Sequence, residues 1–167
     1  SNAAMQELLA RKPAAGYFCF AEDRMHDIRL DQTIPARWTE RAYETWQQLE
    51  GDCRPGEFYT WQIGVFTPFE ELKDVSVSFS DLTNGDGNKI KSSSFQCFNQ
   101  GGTDTDGQTF RKTVSVPKGH VQALWIGMDI PASAEGRYKG KAFVKEGNGK
   151  PVEIAIELSV SGSPIAN

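Results

Sequence analysis

Histidine occurs twice and cysteine three times in this 167-residue chain, so groups that bind soft metals or activate nucleophiles are scarce. His26 and His120 stand far apart, and His120 follows the turn signal Pro117-Lys-Gly119, where a solvated ring is expected. Cys19, Cys53 and Cys97 are odd in number and widely spaced, without a C-x-x-C, so zinc and thioredoxin-type chemistry have no support. One disulfide with a free thiol, or three thiols serving as small apolar residues, both fit. No G-x-S-x-G elbow is present for a nucleophilic serine. Gly147-Asn-Gly-Lys150 lacks the upstream glycine of a phosphate-binding loop, and Pro151 follows where a helix has to open. No apolar run approaches the ~20 residues of a membrane span. The 18 basic and 22 acidic residues leave a net charge of -4 with no basic stripe, which excludes an ordinary nucleic-acid grip.

What is present is alternation of period two. Tyr59, Trp61, Ile63 and Val65 fall on one face of a strand, and Phe58, Thr60, Gln62 and Gly64 on the other, so a half-buried strand is expected after the turn Arg54-Pro55-Gly56. Val75, Val77 and Phe79 alternate with Ser76, Ser78 and Ser80. Thr83-Asn-Gly-Asp-Gly-Asn88 is a turn by composition. Further strands are expected over Lys89–Phe98, Phe110–Val116, Val121–Ile130 and Arg137–Lys145, with Trp125 buried in the third of these. Glu146-Gly-Asn-Gly-Lys150 predicts a hairpin with a type I′ turn. In the last strand, Val152, Ile154, Ile156, Leu158 and Val160 alternate with Glu153, Ala155, Glu157 and Ser159, one face on a core and one in water.

The first fifty residues are less regular. A short helix is expected over Gln6–Arg11 and an extended segment over Tyr17–Phe20; Trp38, Ala42, Trp46 and Leu49 have helical spacing, yet the same stretch is rich in strand formers. The fold class expected is all-β, a two-sheet, mainly antiparallel β-sandwich, immunoglobulin-like or jelly-roll-like, with a less regular N-terminal segment. Ser1-Asn2-Ala3 has the look of an expression scar, residues 4–160 read as one domain, and residues 161–167 as the start of a linker.

Candidates for chemistry are few. Asn84-x-Asp86-x-Asn88 opens like a calcium loop, but Lys89 and Phe95 occupy the glycine and closing-glutamate positions, so turn chemistry is preferred and no cofactor is expected; structural calcium there or at Asp104-x-Asp106 is the minor alternative. Glycoside hydrolysis needs two opposed carboxyl groups, and no feature marks a pair here; Glu70 and Glu71 read as a solvated bend. Trp61 is in phase with core residues, which leaves Trp38 and Trp46 as the aromatics for an exposed, sugar-stacking or interdomain face.

Several pieces carry a family likeness: Phe20-Ala-Glu-Asp-Arg24, Pro55-Gly-Glu-Phe-Tyr59 with Trp61-Gln-Ile-Gly-Val65, Val77-Ser-Phe-Ser-Asp-Leu82, Cys97-Phe-Asn99 with Gly101, Gly102 and Asp104, Val121-Gln-Ala-Leu-Trp-Ile-Gly127, and Tyr138-Lys-Gly140. In order and spacing, over roughly residues 17–160, they resemble the N-terminal β-sandwich domain of proteins related to family 123 glycoside hydrolases, typical of secreted glycan-degrading systems of gut Bacteroidetes. The resemblance implies a non-catalytic accessory domain, with the active carboxylates in a following barrel-type domain that is the expected partner. It implies a secreted, periplasmic or cell-surface location and, as the alternative role, an autonomous carbohydrate-binding module. That family acts on N-acetylhexosaminides with a paired Asp and Glu and the substrate's acetamido group; no such pair carries onto this sequence. Phe98, Asn99, Gly101, Gly102 and Asp104 are the residues expected to face the next domain or its glycan, together with Trp38 and Trp46; the plainer reading of the Gly-Gly stretch is a long hairpin loop.

Overall fold

The computed structural model describes residues 2–28, 34, 36–103, 109–111 and 113–165. In chain order the elements are α1 (Asn2–Ala10), β1 (Phe18–Asp23), α2 (Ala36–Thr39), β2 (Gln48–Cys53), β3 (Phe58–Thr67), β4 (Leu72–Phe79), β5 (Leu82–Thr83), β6 (Lys89–Ile90), β7 (Phe95–Cys97), β8 (Gly101–Thr103), β9 (Thr109–Arg111), β10 (Val114–Val116), β11 (His120–Asp129), β12 (Gly136–Glu146) and β13 (Val152–Val160). Two sheets pack together as the alternation predicts. Sheet A has the order β1-β3-β11-β7; sheet B has β10-β4-β12-β13-β2, with the β5–β6 hairpin attached to β12. Pairing is antiparallel except between β13 and β2, which run parallel.

The inner faces meet in one apolar core. Sheet A contributes Trp61, Ile63 and Val65 from β3 and Leu124, Ile126 and Met128 from β11; sheet B contributes Ala142, Val144, Ile154, Ile156 and Leu158. The Trp61 indole N–H donates to the Met128 sulfur at 3.0 Å, so its polar edge has a partner inside the core. The expected cadence of β13 is seen: Ile154, Ile156, Leu158 and Val160 are buried, Glu153 and Ala155 are exposed, and Val152, Glu157 and Ser159 are half-buried.

The β3 expectation needs correcting. Its second face is not wet, because the N-terminal segment lies across it. Leu8, Ile28, Ile34, Trp38 and Trp46 form a second core with Phe18, Phe20, Phe66, Val121 and Ala123 from the outer side of sheet A. Phe20 lies between the two indoles, with ring centroids 4.2 Å from each. Trp38 and Trp46 are therefore 1% and 3% exposed and present no face to a glycan or a neighbouring domain, contrary to expectation. Trp125, on the same side of sheet A, is half-buried rather than enclosed.

Three local expectations also change. The stretch from Trp38 to Leu49 is neither one helix nor one strand: α2 gives way to a 3-10 turn at Tyr43–Thr45 and then to β2. Its carbonyls are needed elsewhere, since Trp46 C=O accepts Ala21 N–H at 2.7 Å and Gln47 C=O accepts Ala155 N–H at 2.8 Å. Lys89–Phe98 breaks at a 3-10 turn, Ser92–Ser94, because β6 belongs to sheet B and β7 to sheet A, so the chain crosses between layers. The Glu146 hairpin closes with Gly149 N–H on Glu146 C=O at 2.8 Å, and the positive φ of 51° sits on Gly147 rather than Asn148, the sign pattern of a type II′ turn. The turn Thr83–Asn88 is as expected: Asn84 Oδ1 accepts the Asp86 and Asn88 amides at 3.0 and 2.9 Å. The Asp104–Asp106 loop lies outside the described residues.

All three cysteines are free and buried. Burial pushes their thiols above the ordinary range; Cys53 rises to about 11 through burial first, then the nearby Glu57 and Asp52 charges. A thiol that keeps its proton longer in the folded state favours folding below the unfolded pKa and ceases to do so as pH passes the folded one. Stability measured by urea denaturation is therefore expected to fall between about pH 9 and 11, and Cys53→Ala to reduce that slope. A Phe20→Ala variant, which empties the space between two indoles, is expected to lose about 3–5 kcal/mol in the same measurement at neutral pH.

Candidate binding face

Where β1 ends, the outer side of sheet A holds a polar clasp. Alternation along β1 places Glu22 on the same side as Phe18 and Phe20, under the N-terminal segment, with 3% of its surface exposed. Its Oε2 accepts the Trp38 indole N–H at 2.6 Å, and its Oε1 accepts the Asp23 amide at 3.0 Å. Gln62, directly across the ladder from Glu22 and fully buried, wires the following turn: Nε2 donates to the Asp23 and His26 carbonyls at 2.7 and 3.0 Å, and Oε1 accepts the Ile28 amide at 3.1 Å.

Among the described residues, Glu22, Asp23 and His26 are the group that offers three metal-type ligand atoms within 4.8 Å of one another. His26 Nδ1 lies 2.7 Å from Asp23 Oδ1, which also accepts the Met25 amide at 2.9 Å. With those oxygens already engaged by amides and the indole, the geometry is that of a closed turn. What it does chemically is hold residues 23–28 against β3, so that Ile28 reaches the second core.

Beyond this clasp, among the described residues, the outer side carries exposed apolar side chains. Phe58 on β3 and Phe98 after β7 are 43% and 45% exposed. Their ring centroids are 6.1 Å apart in an edge-on arrangement at 61°. Both rings lie over Gly127 of β11, where a Cβ would approach Phe98 Cζ to 2.8 Å and collide with Phe58 Cζ. The glycine thus lets the outer ends of two large apolar rings come close to the strand. Asn99 Oδ1 accepts the Trp125 amide at 2.7 Å, just where the β7–β11 ladder ends at Cys97–Ile126. That bond anchors the segment carrying Phe98 to β11. Gln96 and Asp129 are exposed at the rim.

Of the residues expected to face a partner, the structure brings Phe98 and Asn99 to this face. Gly101 and Gly102 belong to β8, paired with Arg111 and Phe110 of β9, which gives them a ladder role in a short hairpin. Asp104 lies outside the described residues. Phe58 and Gly127 are the members of the face that the sequence reading missed. Each carried a local signal: a phenylalanine in the polar phase of a strand, and a glycine between Ile126 and Met128 in an otherwise apolar one.

Ala at Gly127 pushes only the outer ends of two surface rings, and is expected to cost about 1 kcal/mol while abolishing ring-to-ring NOEs between Phe58 and Phe98. Ala at Gly140, whose Cβ would lie 2.6 Å from the Asp81 carbonyl oxygen, meets backbone. It is expected to cost more, in the range of about 1–3 kcal/mol, so thermal melts should rank Gly140→Ala well below Gly127→Ala. Gln62→Leu leaves one amide and two carbonyls without their partner, and is expected to cost about 1–3 kcal/mol or more and to speed amide exchange of Ile28.

No family model and no curated protein matches this sequence. Solved structures do. A family 123 glycoside hydrolase from Clostridium perfringens, studied for glycolipid glycan hydrolysis, superposes with a TM-score of 0.68 over 89% of this chain at 16% identity. PapD-like domain 7 of human CEP192 matches at a TM-score of 0.46 and 10% identity, over 70% of this chain and 82% of that one. The N-terminal domain of PorA matches at 0.41 and 11%, over 87% and 99%. The chain spans about a quarter of the hydrolase, 27% of its length, and shares with that portion a β-sandwich fold.

Proposed function

We propose that this chain is a non-catalytic accessory domain, N-terminal to the catalytic domain of a larger secreted glycoside hydrolase-like protein of the kind found in Bacteroidetes, and that it packs on that catalytic domain during glycan degradation. The observation that carries the reading is the fold likeness to a hydrolase of which this chain matches 27%. The chemistry of the described residues supports it. The buried carboxylate Glu22 is tied to an indole and an amide in a structural clasp. The three thiols are buried with raised pKa values, which keeps them protonated and poor as nucleophiles. Among the described residues no helix is long and apolar enough to cross a membrane.

The alternative, an autonomous carbohydrate-binding module, is favoured by one observation: the exposed Phe58–Phe98 pair offers apolar surface for a sugar ring to pack on. Its rings meet at 61°, so they do not form one flat platform. The enzyme assay and a binding assay separate the readings. The 167-residue chain is expected to show no turnover of an aryl N-acetylhexosaminide above background, and no heat of binding to N-acetylhexosamine oligosaccharides by calorimetry. The polypeptide that continues beyond it is expected to hydrolyse the substrate. Turnover by this chain alone overturns the proposal; sugar binding alone moves the function to the alternative.

A further inference from the structure

We infer that the open part of sheet A, with Phe58 and Phe98 laid over Gly127, is the surface on which the next domain of the same polypeptide docks. This rests on the accessory-domain reading and adds the place and chemistry of the contact.

The first support is where the chain leads. Residues 161–165 do not drift away from the body. Ser161 N–H bonds Cys53 C=O at 3.0 Å, Arg54 Nε donates to Ser163 C=O at 3.0 Å, and Ile165 N–H bonds Pro55 C=O at 2.8 Å. Gly56 lies against Ile165, with room for a Cβ only 3.0 Å from its carbonyl oxygen. Phe58 is two residues beyond Gly56, a chain distance of at most ~7 Å. A domain that follows is thus delivered beside the ring pair. A short flexible linker to such a domain would hold it at an effective concentration in the millimolar range, at which a small apolar patch is enough to dock.

The second support is what the other surfaces offer. The outer side of sheet B is a charged ladder, with Arg137 on Glu157 at 3.2 Å and Lys141 on Glu153 at 2.9 Å, flanked by exposed Glu50 and Asp52. The other part of sheet A is already closed by Trp38 and Trp46. Phe69 is exposed at the far end of β3, and Met25 sits singly on a turn. Among the described residues, Phe58 and Phe98 are the large exposed apolar side chains that touch each other and stand by the exit.

The rim defines the partner. Arg24 is paired with Glu57 at 3.2 Å, and Asp129 is the exposed charge without a described ion pair beside Phe58, its ladder partner. The docking surface is expected to bring an aliphatic or aromatic side chain into the angle between the rings, with a Lys or Arg facing Asp129.

Hydroxyl-radical footprinting of the 167-residue chain and of the intact polypeptide its gene encodes tests this. Oxidation of Phe58 and Phe98 is expected to slow about fivefold or more in the intact polypeptide, with Met25 unchanged as the reference. If other surface residues are protected there and these two are not, the docking face is wrong and the accessory reading stands. If nothing is protected, or the gene encodes no further domain, both fall. If N-acetylhexosamine oligosaccharide alone protects the two rings in the 167-residue chain, the face is a sugar site and the inference falls. A Phe58→Ser, Phe98→Ser double variant gives a second readout. It is expected to split one cooperative melt of the intact polypeptide into two while moving the Tm of the 167-residue chain by less than about 3 °C; an unsplit melt overturns the inference.

Discussion

The stack of Phe20 between Trp38 and Trp46 is the interaction on which the remaining architecture turns. It closes part of the outer side of sheet A, and it can form only because β3 carries no side chain at Gly64. A Cβ there would lie 2.9 Å from the Trp38 ring and 3.2 Å from both Ile28 and Phe20. With Gly64 in place, the indole settles onto the strand, and its N–H reaches the Glu22 carboxylate. Glu22 in turn caps the Asp23 amide, and Gln62 fastens the turn that brings in Ile28. One small residue thus makes β3 a strand buried on both sides, and turns an irregular N-terminal segment into a third layer. Burying two indoles and a phenyl ring supplies the apolar area that offsets the ordering of so much coil.

The two-sheet core was readable because its information is local and periodic. Trp61, Ile63 and Val65, and Ile154, Ile156 and Leu158, repeat every second residue, and a one-residue slip would expose the whole set. The second core was not readable for the opposite reason. Its members come from α1, α2, the segments carrying Ile28, Ile34 and Trp46, and the outer sides of β1, β3 and β11, so no single period runs through them. The same Trp38 and Trp46 that looked available for contact were spent inside the chain. Helical spacing in that stretch misled because tertiary hydrogen bonds claimed its carbonyls. Asn99, in the stretch singled out for close approach, has a role within the domain: its side chain takes the Trp125 amide beyond the last β7 pair. Phe58 was missed because an exposed phenylalanine in a strand is, taken alone, unremarkable. Its meaning appears only once Phe98, forty residues on, is laid beside it.

The outer sides of the two sheets make different uses of the same alternation. On sheet B the outward positions of β12 are Arg137, Lys139 and Lys141, facing Glu153 and Glu157 on β13. Such exposed pairs contribute little stability, and they mark a surface that stays in water. On sheet A the outward positions include Phe18, Phe20, Phe58, Phe66 and Gly127 beside the buried polar Glu22 and Gln62, and part of that surface is covered by the chain itself. The two outer sides therefore differ in polarity, charged on sheet B and partly apolar on sheet A.

The same distribution explains why chemistry is sparse here. A reactive group needs a shifted proton affinity together with access for a substrate. Cys19 and Cys53 have the shift without the access, since burial is its main cause and holds them protonated. Glu22 is enclosed by the indole that it orients. Among the groups that remain accessible, the rings of Phe58 and Phe98 have no proton to transfer. Their capacity is to exclude water against a matching apolar surface.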